Sequence, residues 1–136
     1  MIRRTLILLT SLLLAGCIDA STSYYIEGGN DALTVRANQE YFWEEDVVGL
    51  TLVVSHLPDC QRQFALAKVP RAAINVELFA GGENMYAVRV GKQVWMVDAQ
   101  ACTRLEGPVP AELGVRLGVF KLETDEKMVF VKAAAN

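Results

Sequence analysis

The stretch from Asn84 to Ala99, NMYAVRVGKQVWMVDA, sets two runs of alternating apolar residues on either side of Gly91-Lys92. A period of two does not fit a helix, whose faces repeat near 3.6 residues, and a two-residue loop opening on glycine suits a type II′ turn. The turn fixes a register. Val90 should oppose Gln93, Val88 should oppose Trp95, and Tyr86 should oppose Val97. One face then collects Tyr86, Val88, Trp95 and Val97, aromatic and β-branched pairs of the kind that stabilise sheets. The other face sets Arg89 against Val94, Ala87 against Met96 and Met85 against Asp98. That half-apolar face needs either a covering layer or a contact partner.

The same period recurs along the chain. Leu33, Val35 and Ala37 share a face, as do Leu50, Leu52, Val54 and His56. Pro58-Asp59 supplies turn chemistry, and QFALAKV returns as a strand in preference to a short helix capped by Asp59. Ile74, Val76 and Leu78 alternate before the AGGEN turn, and Val115–Leu122 pairs with Met128–Ala133 across ETDEK. Gly107 to Pro110 interrupts pairing and leads into a brief helical turn at Ala111 to Leu113. About eight short strands predict an all-β fold, a small antiparallel β-sandwich or barrel, built as a single domain from residues 32–136. Ile18 to Asp31 is polar and small apart from Tyr24-Tyr25-Ile26 and reads as a tether.

The N-terminus has the order of an export signal. Arg3-Arg4 precede an uncharged run from Thr5 to Ala15, which ends in small residues before Cys17. The run is about half of the roughly 20 apolar residues a spanning helix needs. Leu14-Ala15-Gly16-Cys17 closely resembles the lipobox of bacterial lipoproteins. The resemblance covers residues 1–19 and implies cleavage before Cys17 with acyl chains on its thiol and N-terminus, so that residues 1–16 are removed and 17–31 form a lipidated tether. Several acyl chains, at about 0.8 kcal/mol per buried methylene, make a stable anchor. Lipoproteins with Asp after the cysteine tend to stay at the inner membrane; here Ile18 follows, which implies the periplasmic face of the outer membrane.

Removing residues 1–16 takes two of the 13 basic residues and none of the 16 acidic ones, leaving a net charge of about −5. Bulk charge gives such a chain no attraction to nucleic acid. With Cys17 acylated, Cys60 and Cys102 remain as an even pair in an oxidising compartment, where a disulfide is the default. A redox site would favour Cys-x-x-Cys, and structural zinc needs about four ligands where His56 is the sole histidine. No metal or cofactor is expected.

No catalytic set is legible. His56 as a general base would need Asp59 or Asp98 nearby, and no Gly-x-Ser-x-Gly elbow accompanies it. The run EYFWEED, Glu40 to Asp46, joins Tyr41, Phe42 and Trp43 to Glu44 and Glu45. It is either a contact loop or a strand end with a solvated charge run. Tyr41, Trp43, Glu44, Glu45 and Arg89 are the candidates for partner contact. These features predict a noncatalytic lipoprotein anchored through Cys17 and binding another envelope protein. In size, anchor and cysteine pair the chain is similar to periplasmic lysozyme inhibitors, whose Ser/Gly-rich inhibitory loop it lacks. A hydrolase would require His56 or the Glu40 to Asp46 carboxylates to converge in a cleft.

Overall fold

The computed structural model describes residues 19–39, 41, 43 and 46–134. Four strands, β1 (Asp19–Glu27), β2 (Asp31–Asn38), β3 (Val47–His56) and β4 (Cys60–Pro70), form one antiparallel sheet in sequential order. A 3₁₀ turn, Arg71–Ala73, leads to β5 (Asn75–Gly82), β6 (Met85–Val90), β7 (Gln93–Asp98), β8 (Thr103–Leu105), β9 (Val115–Leu122) and β10 (Met128–Lys132). These make a second sheet in the order β10-β9-β5-β6-β7-β8. The all-β sandwich stands, with ten strands instead of about eight.

The two added strands are β1 and β8. Residues 19–27, expected as part of a tether, are instead paired with β2, Tyr24 opposite Leu33 and Thr22 opposite Val35. Their alternation explains this, because Tyr24 and Ile26 pack on the core while Ser21, Tyr25 and Glu27 point to solvent. The folded domain therefore includes Asp19–Glu27, well before residue 32. β8 has three residues, too few for a visible period.

Inward side chains from both sheets supply the core. Leu33, Val35, Leu52 and Val54 meet Val76, Leu78, Val88, Val97 and Phe120, all fully buried. The hairpin register is the expected one: Val90 pairs with Gln93, Val88 with Trp95 and Tyr86 with Val97. Gly91 at the turn has φ +60°.

The half-apolar face of that hairpin does have a covering layer. β8 and β9 lie on opposite sides of β5, β6 and β7, so the segment between them must cross the sheet. Val109, Pro110, Ala111 and Leu113 lie beside Glu77, Arg89 and Val94 on the outer face. Phe79 and Ala87 are buried there. No helical turn forms at Ala111 to Leu113; the crossing is irregular and ends at Gly114, where φ is +102° and an added Cβ would meet the Ala80 carbonyl oxygen at 2.1 Å.

Candidate functional site

The sandwich has two seams, and they are closed differently. Cys60 at the start of β4 is bonded to Cys102 in the turn before β8, as expected for this pair, with Cα atoms 6.1 Å apart. Cys102 is fully buried. On the other side β1 and β10 run next to each other as the edges of their sheets. Tyr24 packs on Phe130 with ring centroids 5.2 Å apart, and Phe130 packs on Phe120 at 4.9 Å.

Beyond Tyr24 this second seam opens into a groove of about 1080 Å³. Its walls include Tyr24 and Tyr25 of β1, Arg116 and Leu117 of β9, and Phe130 and Lys132 of β10. Tyr25 is 61% exposed and Val115, at the mouth, 70% exposed. Aromatic bodies with a polar rim, flanked by Arg116 and Lys132, suit a contact surface for protein. An edge strand on either wall also offers backbone groups to an extended segment.

Among the described residues, Tyr41 and Trp43 lie apart from Arg89. Tyr41 and Trp43 stack in the segment between β2 and β3, with centroids 4.7 Å apart and planes at 16°. Gln39 Nε2–H donates to the Tyr41 carbonyl at 2.9 Å. Glu44 and Glu45 lie outside the described residues, as do Cys17 and the signal segment. Arg89 sits on the other sheet, where its Nε–H donates to Glu77 Oε2 at 2.5 Å and its guanidinium lies 5.0 Å over the Phe79 ring. Arg116 approaches the second Glu77 oxygen at 3.5 Å. Hydrogen bonding from Arg89 holds the Glu77 carboxyl below the ordinary glutamate range, and Glu77 in turn raises Arg89. Arg89 thus has an internal role in tying β5 to β6.

His56 is held between two carboxylates. Its Nδ1–H donates to Asp31 Oδ1 at 2.5 Å, and Nε2 lies 3.5 Å from Asp59 Oδ2. Asp98 instead accepts from the backbone N–H groups of Gln100 and Ala101, shaping the turn that carries Cys102. The disulfide consumes the Cys60 thiol. Asp46 precedes the ten-residue β3 and His56 ends it, roughly 30 Å apart, so Asp46 and the histidine do not meet in one cleft.

The groove itself was missed in the sequence. Its one visible signal was Tyr24-Tyr25 interrupting a polar segment; the opposing wall comes from residues about a hundred positions later, which no local pattern brings near. Comparison of the chain with protein-family models, curated proteins and solved structures finds no match.

Proposed function

We propose that the protein is an outer-membrane-anchored periplasmic lipoprotein whose β domain is a noncatalytic binding module for another envelope protein, with the groove between β1 and β10 as its contact surface. The observation that carries this reading is the groove: an open, aromatic-walled cleft with Tyr25 and Val115 exposed at its rim. The lipobox-like Leu14 to Cys17 supports the anchor. Fixed sheets hold both walls, so binding costs little ordering.

A photoreactive amino acid at position 25 tests it in intact cells, with position 61, exposed on β4, as the control. A discrete adduct from position 25 and none from position 61 is expected. Equal smears from both positions, or none from either, would discard the groove as a binding site.

A further inference from the structure

One residue, Ile18, separates Cys17 from the first strand. Asp19 is no fraying end. It pairs with Asn38, and its carboxylate accepts from Arg36 Nε–H and Nη2–H, each at 2.8 Å. Hydrogen bonding from Arg36 also keeps the Asp19 carboxyl below its usual range. Between Cys17 and Asp19 the chain can reach about 7 Å at most. One headgroup layer of a bilayer is about 5–8 Å thick. An acylated Cys17 therefore leaves no room for the domain to stand off; the Asp19 end must lie at the lipid surface.

That end carries the exposed aromatic pair. Asn38, directly across from Asp19 at about one strand spacing, is the last residue of β2, and the segment with Tyr41 and Trp43 begins right after it. Trp43 is 64% exposed and Tyr41 43% exposed. Val47, where the chain re-enters the sheet, is also exposed. Tyrosine and tryptophan favour the membrane interface because an apolar ring and a polar edge are both satisfied at headgroup depth. The neighbouring Glu40, Glu44, Glu45 and Asp46 give no attraction to anionic lipid, so affinity must come from the acyl chains and orientation from the rings.

Resting on the lipid-anchor reading, we infer that Tyr41 and Trp43 seat in the headgroup layer and hold the sandwich upright on the bilayer. The opposite end, with the Cys60–Cys102 disulfide and the mouth of the groove at Val115, then faces away from the lipid. The two functions use opposite ends of one rigid body.

The test uses the full acylated chain in phosphatidylcholine vesicles with brominated acyl chains, read by tryptophan emission. Trp95 is buried in the core and serves as the unquenched reference. Emission should fall with bromine content, and Trp43→Phe should abolish that fall. A flexible spacer of about ten residues inserted between Ile18 and Asp19 should weaken it, because the domain then lifts off. Protein that floats with the vesicles yet shows no bromine-dependent loss would overturn the orientation while leaving the anchor intact. Protein that fails to float would overturn the anchor itself, and the orientation with it.

Discussion

Tyr24 and Phe130 face each other across two sheet edges, 5.2 Å between centroids with planes at 56°, and so make the floor of the groove part of the core. Phe130 continues the stack to the fully buried Phe120. Phe130→Ala should cost about 2–4 kcal/mol, since it removes a large ring and leaves a void beside Phe120. Urea unfolding measures this; an unchanged midpoint would mean the seam carries no packing energy.

The other seam is covalent. A cross-link closing the 42-residue separation between Cys60 and Cys102 stabilises by about 4 kcal/mol in the chain-entropy model. Replacing both cysteines by alanine should therefore lower Tm by roughly 10–20 °C in a domain of this size. Thermal melts of the oxidised protein and the double variant decide it, and coincident curves would be the contrary result.

Glu77 gives the fold a pH dependence with a definite sign. Its carboxyl is held low in the folded state by Arg89, with burial opposing, so its stabilisation is present above the unfolded-state value of about 4.3 and is lost as pH falls through the lower folded value. Glu77→Gln should cost about 1–2 kcal/mol at neutral pH and flatten the acid limb of stability against pH. Denaturant titrations between neutral and acid pH show it. An acid limb as steep as that of the parent would assign the effect to other carboxylates.

Gly118 lets β9 pair closely with β10, where it lies opposite Lys132. An added Cβ would lie 2.3 Å from the Val131 carbonyl oxygen and 2.6 Å from Phe130 Cζ. Gly118→Ala should cost at least about 1–3 kcal/mol. Trimming Phe130 in the same chain should not restore stability, because the backbone oxygen remains; full rescue in a double-mutant cycle would place the clash on the ring alone.

What could be read from the chain was what local periodicity and turn chemistry determine. The Gly91-Lys92 hairpin came out in register because a two-residue turn leaves one pairing that buries Val88, Trp95 and Val97 together. β1 is hard to read because Ser21, Thr22 and Ser23 mask an alternation carried by Ala20, Tyr24 and Ile26. Arg89 stands in the sequence only as a candidate for partner contact because its ion-pair partner, Glu77, is set by the β5–β6 register, which the intervening Gly81-Gly82 region leaves open. His56 has Asp59 three residues away in the sequence, whereas Asp31, the closer carboxylate, is hidden by 25 residues of separation. The groove depends on β1 meeting β10, a relation between the two ends of the domain that no window of sequence contains.

The most direct measurement is the intact mass of the protein extracted from membranes, with and without reduction. The expected species begins at Cys17, carries acyl mass on that residue alone, and gains the mass of two hydrogen atoms when a thiol reductant opens Cys60–Cys102. A species that retains Met1, or one that starts at Cys17 without acyl mass, would contradict the lipid anchor and with it the placement of this domain on a bilayer.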